Sequence, residues 1–93
     1  MNFNHLQNML ELRHLKTLMA LRETGSLVEA AEVLHLTQSA LSHQIKDLED
    51  RLNCTLFVRK TKPPRFTSAG RRLLALADLV APEFKAAERD IAR

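Results

Sequence analysis

Residues Thr37–Leu52, TQSALSHQIKDLEDRL, decide how this 93-residue chain is read. Leu41, Ile45, Leu48 and Leu52 recur at i, i+4, i+7 and i+11, one stripe of a 3.6-residue helix that must turn towards a core. Ser39, Ser42, His43 and Lys46 stand on the opposite flank, with Gln38 beside the N-terminal end. Each can exchange hydrogen bonds with base edges or phosphates. Asp47, Glu49 and Asp50 enter only in the second half. Phosphates repel carboxylates, and the positive end of the helix dipole attracts anions. The first two turns are therefore the part expected to meet a polyanion, with the acids turned away. Taken alone, the segment reads equally as an amphipathic helix with a solvated polar face.

The residues upstream give this helix a setting. Leu12, Leu15, Leu18 and Met19 repeat with helical period, and Gly25 follows as a left-handed stop. Ser26-Leu27-Val28-Glu29 is a capping box, which predicts a second helix from Ser26 to Leu34, with the Ser oxygen accepting a backbone N–H and Glu29 reaching back to the cap. Ala30 and Ala31, between Leu27 and Leu34, are small enough for another helix to cross closely, although they are also simply good helix formers. His35-Leu36 makes the turn, and Thr37 caps the third helix. Two short helices joined by a tight turn are a common way to offer a rigid helix to the DNA major groove.

Leu56-Phe57-Val58-Arg59 and Arg65-Phe66-Thr67 are short β-prone runs either side of Lys60-Thr61-Lys62-Pro63-Pro64, a pattern that predicts a hairpin with a stiff tip. Arg59, Lys60, Lys62, Arg65, Arg71 and Arg72 lie in one stretch without Asp or Glu, although the whole chain carries a formal net charge of only +3. Positive charge so concentrated fits phosphates or a narrow minor groove; the alternative is a solvated charged loop. With four scattered Phe and no Tyr or Trp, the chain has no stacking surface for single strands, which favours duplex DNA over RNA.

Thr67 caps a last helix from Ser68. Along it Leu73, Ala77, Val80, Phe84, Ala87 and Ile91 alternate in steps of four and three, the seam of a coiled coil, and Leu74, Leu76 and Leu79 widen it. One small domain cannot easily cover so much apolar surface. Isologous pairing of two such helices would cover it and set two recognition helices about one DNA turn, or a multiple, apart. The alternative is a helix packed wholly on its own domain. Pro82 removes one helical hydrogen bond, so a kink is expected near Leu79–Pro82.

Together, LRHLKTL, GSLVEAAEVLHLTQSALSHQIKDLEDRL, LFVRK and FTSAG resemble the N-terminal domain of LysR-type transcriptional regulators from about Leu12 to Arg93. Gln38, Ser39, Ala40, Leu41, Ser42 and Gln44-Ile45 match that family's recognition-helix signature, and Thr67 with Gly70 matches the start of its linker helix. The His43 form of the signature and the LRHLKTL opening look most like the branch of the family that controls methionine biosynthesis. Many members carry Arg where this chain has His43. An imidazole offers one contact where a guanidinium forks onto guanine, so base preference at that position does not carry over.

The resemblance implies a mainly α fold: a winged helix-turn-helix with a small β-hairpin wing and a long C-terminal linker, or dimerisation, helix. Residues 1–10 read as an N-terminal extension, 11–67 as the DNA-binding domain and 68–93 as the linker helix. It further implies sequence-specific binding of a pseudo-palindromic operator in double-stranded DNA by a homodimer. In an intact regulator an effector domain would sense a small-molecule coinducer, homocysteine for the methionine branch. No cofactor is expected in the DNA-binding domain itself. The sequence ends within helical residues at Ala92-Arg93, as a DNA-binding module cut from such a regulator would.

Length and composition agree: 93 residues make one small domain with a limited core, and a sequence pI near 9.5 suits an anionic partner. Without a long apolar run or signal peptide, a soluble cytoplasmic protein with no membrane contact is expected. The single cysteine, Cys54, cannot form an internal disulfide and reads as a small buried apolar residue. His5, His14, His35 and His43 lie apart, no Cys-x-x-Cys or His-Glu-x-x-His occurs, and two glycines cannot build a phosphate loop, so neither a metal site nor an enzyme is expected. His14 and His35 read as helix-surface or core-edge imidazoles, and Arg13, Lys16 and Arg22 as solvated.

The expected division of labour gives base reading to Gln38, Ser39, Ser42 and His43, and the DNA backbone to Thr37, Lys46, Arg59, Lys60, Lys62 and Arg65. Leu73, Ala77, Val80, Phe84, Ala87 and Ile91 would pair two copies. The competing reading is a protein-interaction module acting through the linker helix and the basic wing.

Overall fold

The computed structural model describes residues 10–59, 61 and 65–92. Among these the element order is α1 (Leu12–Thr24), α2 (Leu27–Val33), α3 (Gln38–Leu52), β1 (Phe57–Val58), β2 (Arg65–Phe66) and α4 (Ser68–Ile91). All but Leu10 of the N-terminal extension, and the Pro63-Pro64 hairpin tip, lie outside the described residues. β1 and β2 are antiparallel, Phe57 opposite Phe66 and Val58 opposite Arg65. The mainly helical winged helix-turn-helix read from the sequence is the fold observed.

Three helices end in the same way, through one residue in the left-handed region. Gly25 (φ 67°) closes α1, its N–H donating to the Leu21 carbonyl. His35 (φ 58°) closes α2: its N–H donates to Glu32 O and the Leu36 N–H to Ala31 O, the paired bonds of a Schellman turn. Asn53 (φ 54°) closes α3 by the same pair, Asn53 N–H to Asp50 O and Cys54 N–H to Glu49 O. Only at the first was the left-handed conformation legible, because the other two positions lack the glycine that usually marks it. The starts follow the sequence more closely. Ser26, Thr37 and Thr67 each accept the N–H three residues on, from Glu29, Ala40 and Gly70. The expected return bond from Glu29 is replaced, since the Ser26 N–H donates to Thr24 Oγ1 instead.

The core lies where α1 crosses the helix-turn-helix. Ala20, Leu21, Ala30, Ala31, Leu41, Ile45 and Phe57 form one buried cluster, with Leu27, Leu34, Leu36 and Phe66 packed against it. Ala30 and Ala31 are both buried in this cluster, where α2 meets residues of α1 and α3. Phe57 and Phe66 meet across the hairpin with ring centroids 5.5 Å apart, tying the wing root to this core. Leu74 and Ala77 on α4 are buried, and α4 packs on α1. Arg22 of α1 forks onto Asp78 of α4 at 2.7 and 3.0 Å, and its guanidinium holds the Asp78 carboxyl below its usual range. α4 runs without a break through Pro82.

Two further expectations change. Cys54 is exposed, not buried: the left-handed turn at Asn53 reverses the chain, and Leu56 and Phe57 enter the core instead. His14 is only 2% exposed and belongs to the interior. Its Nδ1 accepts the Glu11 N–H at 2.9 Å, which caps α1 and leaves the ring proton on Nε2, a buried N–H with no partner among the described residues.

That arrangement suits only the neutral ring. Burial, and secondarily the Arg13 charge, hold the His14 pKa below the usual imidazole value. As pH falls below about 6.5 the unfolded chain takes up a proton that the folded one refuses, so stability drops, by at most about 1.4 kcal/mol per pH unit. The loss levels off below the folded-state value. Urea unfolding between pH 7.5 and 5 should show this slope in the native protein and lose it in His14→Asn, whose side-chain oxygen can accept the same N–H without titrating. An unchanged slope in that variant would assign the effect elsewhere.

Candidate nucleic-acid interface

α3 is held by its inner stripe, Leu41, Ile45 and Leu48, all buried. The opposite flank is uncovered: Thr37, Gln38, Ser39, His43 and Lys46 are exposed, and Ser42 is half-buried. The Thr37 hydroxyl accepts the Ala40 N–H at 3.0 Å, leaving its own proton to donate outward. The N–H groups of the first turn face the same open end, a ready anion site when joined by the positive pole of the helix.

The acids of the second half are each engaged. Asp47 pairs with Arg51 at 3.1 Å and Asp50 with Lys46 at 3.1 Å. The Lys46 pair is fully on the surface, so exchanging the carboxylate for a phosphate costs little. Glu49 Oε2 accepts the N–H groups of Leu56 at 2.8 Å and Phe57 at 3.3 Å. Arg51 also reaches Glu11 at 3.4 Å, linking α3 to the start of α1. Gln44, part of the signature, turns inward: its Oε1 lies 2.8 Å from the Thr17 hydroxyl of α1, a bond that orients α3.

The wing stands beside α3. Arg59 and Arg65 are exposed, and Arg59 Nη2 donates to the Ser42 carbonyl at 3.2 Å, so the wing root touches the recognition helix directly. Arg71 donates to Phe66 O at 2.9 Å and braces β2 from α4. Lys60 and Lys62 lie outside the described residues. Of the residues expected to meet DNA, Thr37, Gln38, Ser39, His43 and Lys46 are thus exposed on α3 with Ser42 half-buried, and Arg59 is bonded to that helix. Glu49, Arg51 and the Thr17–Gln44 pair carried no periodic signal, because each acts between elements distant in sequence.

On α4 the expected seam divides. Ala77 is 1% exposed, enclosed because the first half of α4 packs on α1, so this position cannot meet a partner helix. Leu73 and Val80 are half-buried, whereas Phe84, Ala87 and Ile91 are exposed, Ile91 at 82%, together with Leu79 at 71%. Between α1 and the outer half of α4 runs an apolar groove of about 230 Å³, with Leu12, Leu15, Met19, Val80 and Phe84 along it. Among the described residues, no cluster of His, Cys, Asp or Glu could hold a metal ion, and no helix is long and apolar enough to cross a membrane.

Residues 12–71 match the family model for bacterial regulatory helix-turn-helix proteins of the lysR family. Over 84 residues the chain is 61% identical to the HTH-type transcriptional regulator MetR of Haemophilus influenzae, covering 90% of this chain and 27% of that protein. It is 60% identical over 79 residues to the HTH-type transcriptional regulator MetR of Escherichia coli strain K12, covering 85% and 25%. The crystal structure of the BenM DNA-binding domain in complex with benA site 1 DNA superposes with a TM-score of 0.81 at 31% identity, covering 90% of this chain and 98% of that one. The chain thus spans about a quarter of the length of the curated regulators it matches. With the exposed flank of α3, the wing beside it and a family match running from α1 into α4, the chain belongs to the LysR family of bacterial regulatory helix-turn-helix proteins.

Proposed function

We propose that this domain binds double-stranded DNA sequence-specifically as the DNA-binding part of a regulator of methionine biosynthesis genes, and that it does so as a homodimer on a pseudo-palindromic operator. The observation that carries the reading is the bare N-terminal flank of α3, where Gln38, Ser39 and His43 project from a helix whose other side is locked into the core. Gln38, Ser39, Ser42 and His43 read base edges in the major groove. Thr37, Lys46, Arg59, Lys60, Lys62 and Arg65 hold the backbone. The two MetR relatives support the methionine assignment, and the BenM complex supports duplex DNA as the partner.

Dimerisation through α4 rests on the exposed Leu79, Phe84 and Ile91, an apolar strip that water penalises and a second copy would cover. Action on chromosomal operators places the protein in the cytoplasm. In the intact regulator a small-molecule coinducer, homocysteine by this reading, would act from a second domain.

Selection of bound duplexes from a random pool tests the reading, since a dimeric reader returns paired, inverted half-sites at fixed spacing. On the duplex so obtained, Gln38→Ala should lose about 1–3 kcal/mol of binding while affinity for unrelated DNA stays nearly constant. An equal loss on every sequence would remove Gln38 from base reading.

A further inference from the structure

The wing is a hairpin of two residues per strand, too small to hold its own orientation. Its position relative to α3 must come from outside contacts: Phe57 anchors the wing root in the cluster that holds Leu41 and Ile45, and two polar ties reach α3 as well. Arg59 Nη2 donates to Ser42 O, near the N-terminal end of α3. Glu49 Oε2 accepts from both Leu56 and Phe57, where the chain enters β1. Seven residues separate Ser42 from Glu49, about 10 Å along the helix axis, so the pair of ties fixes direction as well as distance. The linking residues Asn53, Cys54 and Thr55 are all exposed and supply no packing of their own.

A carboxylate on a module that meets phosphates is electrostatically unfavourable, and the neighbouring acids Asp47 and Asp50 are neutralised by Arg51 and Lys46. Glu49 makes no ion pair among the described residues. Its charge is directed onto two backbone N–H groups of the wing root, charge-assisted bonds that are among the stronger a surface can offer. Resting on the DNA-binding reading above, we propose that Glu49 is the positioning residue of the wing, holding it against the recognition helix so that Arg65 meets a phosphate in register with the base contacts of α3.

The sign of the effect separates this role from a bystander's. Removing a bystander carboxylate near DNA strengthens binding or leaves it alone, whereas removing the tether weakens it. On a duplex selected by the native protein, Glu49→Ala should lose about tenfold or more in affinity and show a salt dependence shallower by about one phosphate contact. Arg65→Ala should weaken the native protein by a similar factor, yet cost little in the Glu49→Ala background. Glu49→Gln, which keeps an oxygen at the accepting position, should retain the native salt slope.

Should Glu49→Ala fail to fold by circular dichroism, Glu49→Asp serves, since it keeps the charge but falls one methylene short of the two N–H groups, and the same shallower slope is expected. The proposal is overturned if the folded variant binds as tightly as the native protein with an unchanged slope. It is overturned equally if Arg65→Ala costs nothing in the native protein or the same in both backgrounds. Failure of the native protein to bind any duplex at low salt would instead overturn the DNA-binding reading itself.

Discussion

Leu41→Ala is expected to destabilise the domain by about 2–5 kcal/mol, a large part of what a small domain possesses. Leu41 is 0% exposed and sits in the cluster formed by Ala20, Leu21, Ala30, Ala31, Ile45 and Phe57. The cost of such a truncation depends on how far the surroundings can collapse. Three of these neighbours are alanines on helices, whose methyl groups have no rotamers with which to move into the void. The cavity therefore persists, and the upper half of the range is the expectation. Urea unfolding should show the midpoint falling with the slope unchanged. DNA binding should fall in step with the folded fraction and recover when the variant is stabilised by cooling or osmolyte. A loss below about 1 kcal/mol would mean that α3 does not pack on α2 through this residue.

Gly70→Ala tests a different contact, and its sign is informative. Gly70 lies in the first turn of α4, where alanine is favoured over glycine by about 1 kcal/mol. Propensity alone predicts a more stable protein. A methyl group at this position, however, would be driven into the Leu56 carbonyl oxygen and would lie 3.3 Å from Phe66 Cδ1. That carbonyl is backbone and already accepts the Thr67 N–H at 3.0 Å, so it cannot swing aside as a side chain would. The start of α4 has to withdraw from the wing root, at about 1–3 kcal/mol net destabilisation. A melting temperature below that of the native protein is the expected result, and a higher one would show that the close approach is not needed.

The difference between these two glycine and leucine positions marks what the sequence discloses. Leu41, Ile45 and Leu48 announce their helix and its inner face through spacing alone, and the capping residues Ser26, Thr37 and Thr67 announce its neighbours. Gly70 was legible as part of a motif, but nothing in its surroundings says which carbonyl it makes room for. The same holds for His14, whose ring caps α1 from within the interior, and for Glu49, which a charge pattern assigns to solvent. Periodicity reports which side of an element is apolar. It is silent on bonds between a side chain and the backbone of a distant segment, and on left-handed residues such as His35 and Asn53 where no glycine stands. In the candidate site the exposed polar residues of α3 were visible because they are defined by what they lack, an apolar neighbour, whereas the ties that orient the helix and wing were not.

Leu74 and Ala77 sunk against α1, with Arg22 forked onto Asp78 beside them, weld the long helix to the globular head. These contacts hold the first half of the long helix against α1. In the homodimer proposed above, such a join would set the spacing of the two heads, and a target whose halves sit a base pair too near or too far would have to be accommodated by flexure of the duplex.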